Sequence, residues 1–320
     1  MPAPAASNGW EGYWHEDRLA ACMPDDPSSA AHIEAAWRQF FGSLGKQNSV
    51  LDIATGNGVL LVWARQESKH HDLDLALTGI DLADIDPSRF LKEFDADLDD
   101  VRFEGKTSAE ALPFKDGSFD VLVSQYGLEY AGLEPALAEA ARVLKTGGRL
   151  RWLAHASDSA IVRQGRTQLQ EANLLLAKGG PFARMDEFLE ANTRGVKVAR
   201  ATRRLTEALK EAETFCREHP GARLVPQLCQ GILDTANSLP RYRGEDVANW
   251  LAENRRRLQA QRARLGDLEA AALDSERRNR VAALLRCPRW EDTEFRELRV
   301  EGGEVSLGLC IEARRGESPD

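Results

Sequence analysis

The chain has no apolar stretch approaching the ~20 residues of a membrane span, so no spanning helix is expected. Met1 to Trp14 lacks a basic start followed by an apolar core, which argues against a secretory signal. Cysteine is scarce and unpaired in spacing. The five (Cys22, Cys216, Cys229, Cys287 and Cys310) include no C-x-x-C. An odd count without that spacing favours free thiols in a reducing compartment, hence a cytoplasmic setting, and argues against bound zinc; no metal site is expected. No basic run is interleaved with aromatics, so nothing in the sequence marks a dedicated nucleic-acid surface.

What remains is ordinary globular material. At 320 residues, 42% hydrophobic and 29% charged, the chain is long enough to bury a substantial core in one large domain or two. Its net charge of −9 is unevenly spread. Residues 1–160 carry 14 basic against 26 acidic groups, whereas residues 161–288 carry 23 against 16. An acidic half therefore adjoins an Arg-rich one.

The most informative segment lies in the acidic half. Val50-Leu51-Asp52-Ile53 is an apolar run ending near an acid, Ala54-Thr55-Gly56-Asn57-Gly58 is a small turn, and Val59 onward reads as a helix. Strand, tight turn and helix bring backbone N–H groups close to a nucleotide-like ligand. Gly56 and Gly58 are expected to clear space for that approach. A dinucleotide fingerprint requires a third small residue, and Leu61 stands in its place. An acid at the turn would also repel a pyrophosphate, whereas it suits a cationic or hydroxyl-bearing group.

The pattern Asp52-Ile53-Ala54-Thr55-Gly56-Asn57-Gly58 resembles the first motif of class I S-adenosylmethionine-dependent methyltransferases. Leu77-Thr78-Gly79-Ile80-Asp81 is similar to the second, where the family carries a ribose-binding carboxylate; Asp81 matches it and Leu82 follows. Ser108-Ala109-Glu110-Ala111-Leu112-Pro113-Phe114-Lys115-Asp116-Gly117-Ser118-Phe119-Asp120 resembles the family's Asp-Ala-Glu-x-Leu-Pro-Phe stretch. It departs at Ser108, which stands where the family has an aspartate facing adenine. Val121 to Tyr130 resembles the fourth motif, a strand entering a polar and aromatic loop; Glu134 to Leu144 then reads as a helix stopped by Lys145-Thr146-Gly147-Gly148, with Arg149 to Ala154 as the fifth strand. The resemblance implies S-adenosylmethionine as cofactor and an enzyme that methylates, closest to the small-molecule branch that includes quinone biosynthesis. It also implies cofactor contacts from Asp52, Ala54, Thr55, Gly56, Asn57, Gly58, Asp81, Leu82, Ser108, Ala109, Glu110, Ser124, Gln125 and Tyr126.

Catalytic candidates are His155, just past the fifth strand, as a general base, and Glu129, which with Tyr130 follows the fourth. Each has a plainer reading, His155 as a backbone-bonded histidine and Tyr130 as packing. Trp10, Tyr13, Trp14 and His15 read either as a cover over the cofactor or as a helix stapled to the sheet edge.

From Ile161 the sequence favours helix almost throughout. Leu251, Leu258, Leu265 and Ala272 recur at heptad spacing within one helix expected over Glu245 to Leu285. Such a seam suits an intramolecular hairpin and is also self-complementary, which leaves a homodimer open. Alternating residues return at Thr293–Val300 and Val305–Ile311, with Gly302-Gly303 between them, as a β-hairpin. The expected fold class is therefore α/β: a Rossmann-like seven-stranded methyltransferase sheet with an antiparallel closing hairpin, and a large all-helical insertion before the last two strands. The corresponding domains are an N-terminal helical lid segment over 1–48, a cofactor core over 49–156 and the helical insertion over 157–288, expected as a substrate cover or a dimerisation surface. The hairpin over 289–315 and a tail over 316–320 complete the chain.

Three functions fit. One is methyl transfer to a small-molecule acceptor by in-line displacement. Another is methylation of RNA or protein docked on Arg-rich helices around Arg255-Arg256-Arg257 and Arg277-Arg278. The last is a non-catalytic sensor of the cofactor.

Overall fold

The computed structural model describes residues 8–24, 26–92, 98–300, 303 and 305–317. Met1–Ser7 of the expected lid segment, Gly302 of the expected hairpin turn and residues 318–320 of the tail lie outside them. The chain folds as two compact units, one of residues 1–163 with 267–320 and the other of residues 164–266.

The first unit is built on the short apolar runs that the sequence places between glycine turns. Helices α1 (Asn8–Trp14) and α2 (Pro27–Gly42) precede β1 (Ser49–Ile53), α3 (Val59–His70), β2 (Ala76–Ile80), the short α4 (Pro87–Phe90) and β3 (Arg102–Glu104). Next come β4 (Phe119–Gln125), α5 (Leu133–Val143) and β5 (Leu144–Ala154), and the unit ends with α11 (Ser275–Leu284), β6 (Trp290–Arg299) and β7 (Ser306–Arg315). The seven strands pair in the order β3-β2-β1-β4-β5-β7-β6. β1 to β5 run parallel, while β7 pairs antiparallel with both β5 and β6. This is the expected sheet with its closing hairpin, resumed after a long helical segment. Both faces are covered, so β1 and β4 read as nearly unbroken apolar runs. One face carries Leu51, Leu122 and Trp152 against Leu137 and Val281; the other carries Val50, Val121 and Val123 against Trp37, Phe41 and Leu61.

Two local departures from the sequence reading have physical reasons. Lys145-Thr146-Gly147-Gly148 does not stop α5 as a loop; β5 begins at once at Leu144. The glycines form an irregularity within the strand, where register jumps from Phe119↔Leu144 to Val121↔Arg149. A Cβ at Gly148 would meet the Lys145 carbonyl at 2.8 Å, so only glycine fits. The single helix expected over Glu245 to Leu285 is in fact α10 (Gly244–Ala271) and α11. Leu273 leaves the helix because its backbone is taken by strand-like bonding. Its N–H donates to the His155 carbonyl at 2.7 Å and its carbonyl accepts from Ser157 at 3.1 Å. Asp274 then caps the next helix, its carboxylate accepting from Arg277 N at 2.8 Å.

The second unit is helical: the remainder of α6 (Ala160–Leu176), then α7 (Pro181–Arg194), α8 (Val198–Glu218), α9 (Leu224–Asn237) and most of α10. Leu175, Phe182, Met185, Leu205, Ile232, Leu251 and Leu258 form its core. The heptad pair Leu251 and Leu258 thus packs within this unit. Each fully buried leucine contributes about 1.5–3 kcal/mol.

Candidate active site

Parallel strands bring residues at their carboxyl ends to one edge, and ligands bind where the strand order reverses. Here the reversal lies between β1 and β4. A cavity of about 820 Å³ opens there, lined entirely by residues of the first unit. That volume is near the top of the ~300–1,000 Å³ range for a single ligand, and gives room for a cofactor with an acceptor beside it.

Asp52, Ala54, Thr55, Asp81, Leu82, Ser108, Ala109, Glu110, Gln125, Tyr126 and Glu129 all line this cavity. Gly56, Asn57, Gly58, Ser124 and His155 do not appear on its wall. Their positions are explained by what they touch. Gly56 (φ +53°) packs directly beneath Trp14, whose ring would lie 2.4 Å from an added Cβ. Gly58 (φ +87°) is covered by Phe103 at 2.8 Å. At both glycines an added Cβ would run into the protein's own aromatics. Asn57 donates to the carbonyls of Trp14 at 3.0 Å and Arg18 at 2.7 Å, tying α1 and its exit to the turn. Ser124 accepts from Leu128 N at 3.0 Å and donates to the Ile53 carbonyl at 2.8 Å, bracing the ends of β4 and β1.

Asp52 and Asp81 are both buried. Asp81 accepts Gly56 N at 2.9 Å on one oxygen and Ala83 N at 2.8 Å on the other, which leaves each oxygen a further lone pair. Burial raises its pKa to about 6, against the lowering effect of those two amides. Asp52 accepts from Thr55 Oγ1 at 2.6 Å through Oδ2, while its buried Oδ1 has no partner among the described residues. Burial lifts its pKa to about 8, partly offset by Thr55 and reinforced by the nearby Asp81. An unsatisfied buried carboxylate oxygen facing a cavity fits a cationic group. That is the chemistry of the amino group of S-adenosylmethionine, and Asp81 retains acceptor capacity for a ribose hydroxyl. Ser108 Oγ accepts from Glu110 N at 3.1 Å, and Glu110 accepts Gly132 N at 2.7 Å, so this loop is fixed against the turn that precedes α5.

Glu129 and His155 are brought together beneath the wall, both fully buried. One Glu129 oxygen lies 2.7 Å from His155 Nδ1 and accepts the His155 backbone N–H at 2.8 Å. Its other oxygen accepts from Trp152 Nε1 at 2.9 Å. Burial pushes the Glu129 carboxyl up, but the bonds and charge of His155 outweigh this and hold it below the usual range. For His155, burial acts downward, yet the Cys22 sulfur and the Glu129 carboxylate raise it to about 9. At neutral pH the pair is a carboxylate and an imidazolium, with Tyr126 stacked on the imidazole at 4.5 Å.

Several lining residues carried no signal in the motifs. Trp10 and Trp14 lie on the wall, with Trp10 edge-on to Tyr130 at 5.8 Å. Cys22 is there too, at φ +56°, and so are Asp267, Arg277 and Arg280, which fall within the expected insertion of 157–288 yet belong to the first unit because the helical unit ends at Gly266. Only their return to the sheet edge brings these last three into reach, and no local spacing encodes it.

Residues 50–148 match the model of a methyltransferase domain. A sarcosine/dimethylglycine N-methyltransferase of Aphanothece halophytica is 38% identical over 129 residues, which is 39% of this chain and 45% of that protein. A ubiquinone/menaquinone biosynthesis C-methyltransferase of Stutzerimonas stutzeri is 39% identical over 37% of this chain and 47% of its own length. The chain thus spans about half the length of the curated relatives it matches. Among solved structures, a putative S-adenosyl-L-methionine-dependent methyltransferase of Methanococcus maripaludis aligns over 90% of this chain and 85% of its own, with 14% identity and a TM-score of 0.44. Residues 50–148 form a methyltransferase domain of the class I S-adenosylmethionine-dependent family.

Proposed function

We propose that the protein transfers a methyl group from S-adenosylmethionine to a small-molecule acceptor held in the cavity at the β1/β4 edge. One observation carries this reading. The ends of three parallel strands deliver an orphaned carboxylate oxygen at Asp52, a second buried acid at Asp81 and the fixed Ser108–Glu110 loop to a single cavity. Asp52 would hold the cofactor's amino group, Asp81 a ribose hydroxyl, and Ser108 and Ala109 the adenine side.

The cofactor supplies a methyl group already activated by a sulfonium, so the protein's main task is placement. Asp52, Asp81 and the Ser108–Glu110 loop would hold the cofactor so that its sulfonium methyl is presented to an acceptor's lone pair. A proton lost by the acceptor passes to solvent. Glu129 is held by two contacts from His155 on one oxygen and one from Trp152 on the other, and a protonated His155 has no lone pair to offer, so this pair serves as a fixed dipole under the wall. Removing either partner would leave a buried charge and collapse that wall.

The arginines that motivated a polyanionic or protein substrate are engaged within the fold. Arg255 pairs with Asp186 at 2.6 Å, Arg256 and Arg257 both pair with Glu253, and Arg278 pairs with Asp158. This favours a small acceptor, in keeping with the names of the relatives.

Calorimetry tests the cofactor site directly. S-adenosylhomocysteine should bind, and Asp81→Ala should weaken it by about 1–3 kcal/mol, the range for a charged hydrogen bond. Undetectable binding to folded protein would overturn the reading. Label transferred from the cofactor's methyl group into a metabolite extract would then identify the acceptor.

A further inference from the structure

The cavity is chemically lopsided. At the carboxyl ends of β1 and β4 its unsatisfied groups are acceptors, Asp52 Oδ1 and Gln125 Oε1. Where the turn after β4 meets α11, the unsatisfied groups are donors. The Tyr130 hydroxyl is buried and has no partner among the described residues. Arg277 reaches the same wall. Its Nη2 donates to the Glu129 carbonyl at 2.7 Å, which fixes the guanidinium, while its buried Nε has no partner among the described residues. Arg280 stands one turn further along α11, lines the cavity, and makes no hydrogen bond or ion pair with any described residue. Leu273, bonded between His155 and Ser157, anchors the start of this helix against the sheet edge.

Net charge alone does not make this wall attractive to anions, because Asp267 and the exposed Glu134 also line the cavity. Selectivity rests on directed donors. A guanidinium cannot lose its proton near neutral pH and has no acceptor atom. The Tyr130 hydroxyl stays protonated as well, since burial and then nearby Cys22 and Glu129 raise its pKa well above 10. Leaving a buried donor unpaired is costly, so a ligand that presents oxygen acceptors is favoured over one that does not. Trp10, edge-on to Tyr130, supplies a flat apolar surface beside these donors.

We propose that Arg277, Arg280 and Tyr130 form an anion-recognition subsite for the methyl acceptor, so that the acceptor carries a carboxylate or phosphate group. The proposal rests on the methyltransferase reading for the identity of the anion's bearer, and not for the existence of the subsite. Carboxylate and phosphate share the acceptor geometry that a guanidinium grips, and the test separates them.

The experiment titrates benzoate, phenyl phosphate and the neutral isostere benzamide into protein saturated with S-adenosylhomocysteine, followed by calorimetry. One of the two anions should bind at least about tenfold more tightly than benzamide, as expected for charge-assisted bonds. The tighter anion identifies the group. Arg280→Gln, at an exposed position with no partner to lose, should erase the preference while leaving S-adenosylhomocysteine affinity within about twofold. Arg277→Gln should act in the same direction, although it also frees the Glu129 carbonyl. Equal binding of benzamide and both anions, or no binding of any probe, would overturn the proposal. So would an Arg280→Gln variant that keeps the preference, or one that loses S-adenosylhomocysteine in parallel, since the arginine would then serve the cofactor. If S-adenosylhomocysteine itself fails to bind, the methyltransferase reading fails, and the same probes on ligand-free protein still decide the subsite.

Discussion

Asp52 concentrates the electrostatics of the cofactor site at a single residue. Its pKa near 8 means that the free protein holds it largely protonated at pH 6. A cationic group on its orphaned oxygen requires the ionised form, so binding must release a proton below pH 8. The sign follows: affinity for S-adenosylhomocysteine should rise as pH increases from 6 to 8, by up to about tenfold per unit, and level off above. Asp52→Asn should weaken binding and flatten the profile. Calorimetry in two buffers of different ionisation enthalpy would check this through the proton released; a wild-type affinity independent of pH would sink the assignment. The same residue shows what sequence can and cannot convey. That an acid ends β1 is visible in Leu51-Asp52-Ile53. That one of its oxygens is satisfied by Thr55 and the other by no described residue depends on side-chain geometry three residues away. Ser124 and Asn57 illustrate the converse. Both belong to the motifs, yet their side chains brace the backbone around the cavity.

At the scale of elements, the unit β1-α3-β2 explains the departure from a dinucleotide fingerprint. The third small residue of that fingerprint allows a helix to pack closely on the sheet. Here the helix contributes Leu61 and the sheet contributes the small partner: a Cβ at Gly79 would meet Leu61 Cδ1 at 2.8 Å, and Thr55 Cγ2 and Oγ1 of the turn at the same distance. Close packing is kept, with large and small exchanged between α3 and β2. Gly79→Ala should therefore cost about 1–3 kcal/mol by overpacking, and Leu61→Ala about 2–5 kcal/mol by cavity formation. The double variant should cost less than the two together, by about 0.5–3 kcal/mol of coupling. Urea denaturation of all four proteins measures this, and strict additivity would refute the pairing. Order and type of the elements were legible because strand, turn and helix periods alternate cleanly up to Ala154. The break at Leu273 was not. The local sequence favours helix, and only hydrogen bonds to His155 and Ser157, more than a hundred residues earlier, pull it out. Arg142 is a further case, with side-chain nitrogens on the carbonyls of Leu112 and Phe114 at 2.9 and 2.7 Å that hold the Leu-Pro-Phe stretch in place.

The whole molecule combines two cores with different contents, and this makes its unfolding separable by probe. Six of the seven tryptophans (Trp10, Trp14, Trp37, Trp63, Trp152 and Trp290) belong to the unit that carries the sheet; Trp250 alone belongs to the helical unit. Indole fluorescence therefore reports mainly on the first unit, whereas far-ultraviolet circular dichroism weighs the helices of both. A ligand that binds only the folded cavity stabilises the unit that forms it by RT ln(1 + [L]/Kd), about 2.7 kcal/mol at a hundredfold excess over Kd. S-adenosylhomocysteine should raise the fluorescence-detected midpoint by more than the dichroism-detected one. Leu258→Ala, in the helical core, should cost about 2–5 kcal/mol and lower the dichroism-detected midpoint first. Coincident midpoints by both probes in every case would instead show that the two cores unfold as one cooperative block. The site lies wholly within the first unit. A split response would therefore mean that the helical unit can vary in stability without disturbing Asp52, Asp81 and the wall formed by Tyr130 and Arg277.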